Sequence, residues 1–124
     1  SSLALGIDGI IISNSTIDRP LTLQSSHKNK IGGLSGQPLL KKSTVLLKKM
    51  YNLTNGQIPL IGVGGICNGF DCYEKIKSGA SLVQLYTSLI YKGPSLVEKI
   101  KKELLSCLVT DGFKNIKDAI GIDV

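Results

Sequence analysis

The chain has 124 residues, of which 42% are hydrophobic and 5% are aromatic, and it carries a formal net charge of +6. This length and apolar content predict one domain at most and exclude a disordered chain, since disordered chains are poor in apolar residues. The lysines are spread from Lys28 to Lys117, whereas a nucleic-acid surface usually clusters its cations and interleaves them with aromatic rings. We therefore predict solvated helix faces and no nucleic-acid partner.

The three cysteines, Cys67, Cys72 and Cys107, lack the spacing and the histidine partner of a zinc site. Their odd number indicates a reducing compartment, and we expect no metal ion. No apolar stretch approaches the roughly 18 residues of a membrane-spanning helix, and no basic and then apolar leader is recognisable at the start. Residues 1–9 resemble the end of a helix that leads into a strand, so we expect the chain to begin within a fold.

Short apolar runs alternate with helical patterns along the chain. The runs are too short for helices and too continuous for half-exposed strands, which predicts buried parallel strands. Apolar residues at helical spacing predict the helices. In chain order, the predicted elements are a strand (residues 7–12), a long loop (17–38), a helix (40–54), a strand (59–63), a helix (69–78), a strand (81–86), a helix (94–109) and a short helix (115–121). Asn68 can cap the second helix, and Gly79 can close it with a positive φ.

This order predicts parallel βα units. A (β/α)8 barrel takes about 250 residues, so the chain has the size of half a barrel. We predict an α/β fold that is the C-terminal part of a (β/α)8 TIM barrel, about its last three βα units, with residues 1–124 forming the C-terminal portion of a single barrel domain. A complete small doubly wound domain is the alternative.

The stretch LIGVGGICNG (60–69) places glycines where the second strand ends. Considered alone, these glycines are best explained by a tight turn between a strand and a helix. However, YTSL (86–89) ends the next strand, and barrels often bind phosphate between two such consecutive loops. The two loops together predict a phosphate site. The glycines allow the ligand to approach the backbone, and Tyr86, Thr87 and Ser88 can provide backbone amides and hydroxyls.

Four small polar residues, SNST (13–16), follow the first strand at the end of the sheet where such folds bind substrate. Asn14 carries an amide and a carbonyl that can pair with a planar heterocycle, and Ser13 and Ser15 supply hydroxyls. A local Asx or Ser turn is the simpler explanation of this stretch alone. The glycines of the loop over residues 17–38 suggest either close approach to a ligand or a mobile lid.

Five segments, in this order and spacing, closely resemble the C-terminal portion of class 2 dihydroorotate dehydrogenases. They are DGIIISNSTIDRP (8–20), GGLSGQPL (32–39), IPLIGVGGI (58–66), GASLVQLYTSLIYKGP (79–94) and DGFKNIKDAIG (111–121). The similarity covers nearly the whole chain. The last segment and the connection MYNLTNGQIP (50–59) resemble the eukaryotic, mitochondrial branch more than the bacterial one.

The resemblance implies an FMN-containing barrel that oxidises dihydroorotate to orotate in de novo pyrimidine biosynthesis and passes the electrons to ubiquinone. By motif match, the residues implied to hold FMN are Ser13, Gly36, Gly65, Tyr86 and Thr87, the last three around its phosphate. Those implied to bind the pyrimidine are Asn14 and Ser15. The family more often has threonine where this chain has Ser13 and Ser15, but the hydroxyl is kept in both cases.

The family's other functional groups are implied to lie upstream of this chain. Its catalytic base is a serine in the first half of the barrel, so no catalytic residue is expected here, and neither Ser35 nor Ser43 replaces it. Leu89–Pro94 resembles one wall of the family's quinone tunnel. Membrane association is expected through an N-terminal segment absent from this chain, at the mitochondrial inner membrane or, in a bacterium, at the cytoplasmic membrane. We expect the isolated chain neither to turn over dihydroorotate nor to retain flavin.

Three alternatives are kept. A class 1 relative or another FMN barrel would use fumarate or a nicotinamide nucleotide as the electron acceptor. A non-enzymatic phosphate-binding module would need the glycine loops but no flavin chemistry. A nucleic-acid-binding domain is the least favoured, and it would require an affinity with a steep salt dependence.

Overall fold

A computed structural model describes residues 4–124. Its strands form one parallel sheet in the order β1-β2-β3, where β1 is Ile10–Ile12, β2 is Leu60–Val63 and β3 is Ala80–Gln84. The predicted order of parallel βα units is confirmed, although β1 begins later and β3 ends earlier than the sequence predicts. Of the stretch predicted to end a helix, residues 1–3 lie outside the described residues, and residues 4–6 form a turn.

The helices are α1 (Leu40–Thr54), α2 (Gly69–Lys77), α3 (Thr87–Lys92) and α4 (Ser95–Thr110). Periodicity predicts α1, α2 and α4 correctly. It misses α3, because six residues make too few turns for a periodic apolar pattern and Ile90 and Tyr91 are exposed. The segment predicted as a final helix forms only a 3₁₀ turn, Ile116–Ala119, and a second 3₁₀ turn, Gln37–Leu39, leads into α1.

The ends of α2 follow from its local sequence. The side-chain oxygen of Asn68 accepts a hydrogen bond of 2.8 Å from the backbone N–H of Asp71, which confirms the predicted N-cap. Gly79 follows the helix with a φ of 111°, and a Cβ atom there would lie 2.5 Å from the ring of Tyr51. The predicted closing glycine is therefore confirmed, and side-chain packing adds a second reason for it.

One face of the sheet is covered by helices within residues 4–124. α1 and α2 pack on this face, where Leu47, Leu60 and Ala80 are fully buried. On the other face, Ile11 and Leu82 are more than half exposed, so the prediction of strands buried on both faces is wrong for the described residues. Helices outside a sheet whose inner face is open are what part of a barrel presents.

A second hydrophobic cluster joins α2 to α4. It contains Cys72, Tyr73 and Ile76 from α2 and Leu96, Ile100, Cys107 and Leu108 from α4. The short helix α3 lies between β3 and α4 in the chain, so this packing limits where α3 can sit at the end of the sheet. The start of α3 is thereby placed next to the turn after β2.

The two ends of the long loop after β1 are held together. Thr16 and Leu34 exchange two backbone hydrogen bonds of 3.0 and 2.7 Å. Inside the loop, the guanidinium of Arg19 donates to several backbone carbonyls, including those of Lys28 at 2.8 Å and Gly32 at 2.6 Å. The arginine fills the centre of the loop and satisfies its carbonyls, which holds its glycines beside the ends of the strands.

Candidate functional site

The loops at the carboxyl ends of the three strands surround a cavity of about 490 Å³. Parallel strands end at the same edge of a sheet, so residues far apart in the sequence meet there. All seven residues predicted to bind flavin or substrate line this cavity: Ser13, Asn14, Ser15, Gly36, Gly65, Tyr86 and Thr87. The structure thus brings the predicted residues together, while the role of each stays a prediction.

The turn after β2, formed by Gly64 and Gly65, lies directly on the start of α1. Gly65 has a φ of 80°, and a Cβ atom there would lie 2.5 Å from the backbone nitrogen of Leu40. Gly64 has a φ of 108°, and its carbonyl lies 3.1 Å from the hydroxyl of Ser43. The tight turn between a strand and a helix, which is the simplest explanation of these glycines, is therefore present. It also presents bare backbone to the cavity, as a phosphate-binding turn must.

Glycines of the long loop bring it against the start of α3 and against the residues that follow β1. Gly36 has a φ of 87°, and a Cβ atom there would lie 3.3 Å from the methyl carbon of Thr87. At Gly33, a Cβ atom would lie 1.9 Å from the hydroxyl oxygen of Ser15. The hydroxyls of Ser35 and Thr87 are 2.9 Å apart. These glycines therefore serve contacts within the chain that close the cavity.

Ser88 has a role that its sequence context does not reveal. Its hydroxyl is buried and donates a hydrogen bond of 2.5 Å to the carbonyl of Ile66, and it lies 3.2 Å from the sulfur of Cys67. Of the amides and hydroxyls that Tyr86, Thr87 and Ser88 are predicted to offer, the hydroxyl of Ser88 is therefore already bonded within the chain. It joins the start of α3 to the loop after β2.

Asn14 and Ser15 form the wall of the cavity at the end of β1. Asn14 is exposed, and its side-chain oxygen accepts a hydrogen bond of 2.8 Å from the backbone N–H of Ser15. This is a local turn contact of the kind that explains SNST most simply. It also orients the amide of Asn14, whose nitrogen can still donate to a ligand in the cavity.

A buried lysine lies behind the cavity wall. Lys75 of α2 is 0% exposed, its ammonium hydrogen-bonds the hydroxyl of Ser43, and it lies 3.3 Å from the carbonyl of Leu40. Burial lowers the pKa of Lys75 to about 8, against smaller opposing effects of Glu74 and Asp71.

Sequence reasoning missed this lysine because lysines on helices are usually solvated. A signal for it exists in the helical spacing. Lys75 follows Cys72 by one helical turn and directly precedes Ile76, and both of these residues are buried. A lysine placed on the apolar face of a helix is a candidate for a buried charge.

The buried cysteines are unreactive by environment. Burial raises the pKa of the Cys72 thiol to about 11, and burial also raises the pKa of Cys107. Both thiols are therefore protonated at neutral pH. Among residues 4–124, no three His, Cys, Asp or Glu side chains come together as a metal site. No helix in the same part of the chain combines the length and apolar character needed to cross a membrane.

Comparison with known proteins identifies a family. The family model for dihydroorotate dehydrogenase matches residues 1–108. The chain is 53% identical over 124 residues to the dihydroorotate dehydrogenase (quinone) of Xanthobacter autotrophicus, covering 100% of this chain and 35% of that protein. It is 54% identical over 123 residues to the mitochondrial dihydroorotate dehydrogenase (quinone) of Arabidopsis thaliana, covering 98% of this chain and 27% of that protein. The chain thus spans about a third of the length of these relatives.

A solved structure agrees with these relatives. The ligand-free dihydroorotate dehydrogenase of Eimeria tenella superposes with a TM-score of 0.95 at 48% sequence identity, covering 98% of this chain and 34% of that chain. The similarity confirms the predicted fold class, an α/β part of a (β/α)8 barrel. Bacterial and mitochondrial relatives match at nearly equal identity, and the mitochondrial branch stays a prediction.

Proposed function

The chain belongs to the dihydroorotate dehydrogenase family, and we propose that it is the C-terminal portion of a quinone-dependent enzyme that oxidises dihydroorotate to orotate. In this proposal it holds FMN and one edge of the pyrimidine. The observation that carries the proposal is the meeting of seven residues, predicted from separate motifs, in one cavity. Both relatives described above are named as quinone-dependent enzymes, which favours this acceptor over fumarate or a nicotinamide nucleotide.

The cavity fits a flavin phosphate at its inner end. The turn formed by Gly64 and Gly65 has no side chain that would keep an anion from the backbone, and a Cβ atom at Gly65 would collide with α1. Tyr86 and Thr87 line the same cavity. Backbone N–H groups of these two loops are the phosphate ligands that we propose, and a volume of about 490 Å³ lies within the range of small-molecule sites.

The other end of the cavity suits the flavin ring and the substrate. Ser13 is proposed to contact the flavin, and Asn14 and Ser15 are proposed to bind the pyrimidine. Asn14 can donate from its amide nitrogen to a carbonyl of the planar ring, while the backbone of Ser15 keeps the side chain oriented. Gly36 brings the long loop against Thr87 and so closes the cavity over the flavin.

Bound FMN would supply the hydride-accepting chemistry of the reaction. The residues of this chain bind and orient, and proton abstraction is assigned to a serine elsewhere in the longer protein. Ser35 and Ser43 are not assigned that role, because Ser35 pairs with the hydroxyl of Thr87 and Ser43 contacts Lys75.

The quinone is proposed to approach along α3. The segment Leu89–Pro94 exposes Ile90 and Tyr91, and Tyr91 lines a second cavity that shares Gly36 and Thr87 with the first. An apolar ring can pack against such side chains. Membrane association through an N-terminal segment of the longer protein is part of this proposal. The mitochondrial inner membrane is the proposed location, with the bacterial cytoplasmic membrane as the alternative.

Purification of the longer protein that contains this chain tests the proposal. We expect bound FMN, and orotate formation that depends on a ubiquinone analogue and not on fumarate or NAD. Turnover with fumarate or NAD would favour a class 1 enzyme, and failure of the longer protein to bind FMN would favour a non-enzymatic phosphate-binding module. The isolated chain is expected to purify without flavin, and a yellow preparation would contradict that part of the proposal.

A further inference from the structure

The side chain of Lys75 is enclosed by three elements. α2 carries the lysine, the ammonium contacts Ser43 and Leu40 of α1, and on β2 a Cβ atom at Gly62 would lie 3.4 Å from the Cβ atom of Lys75. The side chain is 0% exposed. An ammonium in such a position has exchanged its water shell for two protein oxygens, which is unfavourable unless further negative charge is near.

Ser43 connects this ammonium to the turn after β2. Its hydroxyl lies 3.1 Å from the carbonyl of Gly64 and also hydrogen-bonds the ammonium. The next residue of the turn, Gly65, packs on the backbone of Leu40, to whose carbonyl the ammonium is also bonded. The buried charge therefore lies directly behind the two glycines proposed to contact phosphate, with a single hydroxyl between them.

The protein itself does not neutralise this charge by contact. None of the ion pairs formed among residues 4–124 includes Lys75. The charged groups that act on it are Glu74 and Asp71, both on α2, and the side-chain oxygen of Asp71 accepts a hydrogen bond from the N–H of Cys67. The contacts from α1 and β2 come from Ser43, a backbone carbonyl and a glycine, none of which titrates. The nearby start of α1 adds partial positive charge.

We propose that Lys75 is the buried counter-charge of the flavin phosphate, acting through Ser43 and the backbone of Gly64 and Gly65. This inference rests on the proposed function, because it assumes that the phosphate binds in front of that turn. The phosphate supplies the negative charge that the surroundings of Lys75 lack, and the lysine raises the affinity for a dianion without touching it. Lys75 is thus a positioning residue that acts through the turn.

A purely structural role for Lys75 would affect flavin binding differently from a role as a counter-charge. If the lysine only joined α2 to α1, its loss would disturb the turn and weaken every flavin equally. If it acts by charge, its loss weakens FMN and spares riboflavin, which has the same ring and no phosphate. The ratio of the two affinities therefore separates charge from structure.

The test uses the longer protein freed of flavin, with dissociation constants measured for FMN and for riboflavin. For Lys75→Met, which keeps the length of the side chain and removes its charge, we expect FMN to bind about tenfold more weakly or worse and riboflavin to bind within about twofold of wild type. Lys77→Met is the matched control on the same helix, since Lys77 is partly exposed and pairs with Asp123 at 3.1 Å. It should leave both affinities unchanged.

An equal loss for both flavins, or an unchanged affinity for FMN, would overturn the inference. Failure of the wild-type protein to prefer FMN over riboflavin would instead overturn the proposed phosphate site. If Lys75→Met does not fold, the inference is tested by the pH dependence of the ratio of FMN affinity to riboflavin affinity in the wild-type protein. Deprotonation of Lys75 above about pH 8 should then reduce the preference for FMN, and a constant preference from pH 7 to pH 10 would contradict a counter-charge.

Discussion

The buried hydroxyl of Ser88 donates a hydrogen bond of 2.5 Å to the carbonyl of Ile66 and so joins the first turn of α3 to the loop after β2. Each of these two segments contributes residues to the proposed phosphate site. The hydrogen bond therefore fixes the distance between them without contacting the ligand.

Replacement of Ser88 by alanine should loosen this connection. The change leaves the carbonyl of Ile66 without its donor, which costs about 1–3 kcal/mol for a buried group. We expect the free energy of unfolding of the longer protein in urea to fall by that amount, and the affinities for FMN and riboflavin to fall together. Ser106→Ala on the exposed face of α4 is the control, and equal stability of the two variants would contradict the role given to Ser88.

Replacement of Gly65 by alanine should destabilise the protein more than the same replacement at a glycine of similar φ elsewhere. Gly65→Ala places a Cβ atom 2.5 Å from the nitrogen of Leu40 in addition to the strain of a φ of 80°. Gly112 has a φ of 78° with no atom within 4 Å of its Cβ position, so Gly112→Ala measures the cost of backbone conformation alone, about 1 kcal/mol. We expect Gly65→Ala to lose at least about 2 kcal/mol more in unfolding free energy, because backbone must move to relieve the overlap, and to lose bound FMN. Equal losses in the two variants would show that contact with α1 does not explain this glycine.

Asn14 can be tested with an isosteric change. Asn14→Asp replaces the amide nitrogen with an oxygen, so the side chain can no longer donate to a carbonyl of the pyrimidine. We expect the dissociation constant for orotate to rise about tenfold or more, since a donor to the ligand is lost and a negative charge faces an anionic ligand. The affinity for FMN should stay within about twofold. Asn52→Asp on the exposed face of α1 is the control, and unchanged orotate binding by Asn14→Asp would remove Asn14 from the substrate site.

The lowered pKa of Lys75 predicts a pH dependence of stability in the flavin-free protein. Its pKa is about 8 in the folded chain, against 10.5 for a solvated lysine. Folding is therefore opposed by the buried charge below pH 8, and this cost disappears as the pH rises from 8 to 10.5. Relative to Lys75→Met, the wild-type free energy of unfolding should rise by about 2–3 kcal/mol over this range.

Bound FMN should reduce that rise, because a phosphate near the ammonium raises the pKa of Lys75 towards its usual value. Urea unfolding at a series of pH values, with and without FMN, measures both effects. Lys77→Met should follow wild type throughout. A difference between wild type and Lys75→Met that does not vary with pH would mean that folding does not lower the pKa of Lys75.

The parts of the molecule that the sequence predicts are those governed by local rules. Asn68 and Gly79 are predictable because a cap and a positive φ depend on a few neighbouring residues. The convergence of Ser13, Gly65 and Thr87 is predictable because parallel βα units place the ends of their strands at one edge. Motif resemblance then supplies the chemical identity of the ligand, which spacing alone does not.

The parts that the sequence does not predict depend on tertiary contacts. The six-residue helix α3 has no periodic pattern, and Ser88 is a small polar residue whose partner, Ile66, comes from a different loop. Lysines on helices are usually solvated, and only the packing of α1 and β2 around Lys75 makes it a buried charge. The open inner face of the sheet is a property of how much of the barrel is present, which strand patterns do not encode.

The most direct test of the proposed site is a crystal structure of the longer protein with FMN and orotate. We predict that the phosphate of FMN lies within hydrogen-bonding distance of the backbone N–H groups of Gly65 and Thr87, with the ammonium of Lys75 behind the turn and Asn14 in contact with orotate. A phosphate bound away from the turn formed by Gly64 and Gly65 would contradict both the proposed site and the role of Lys75.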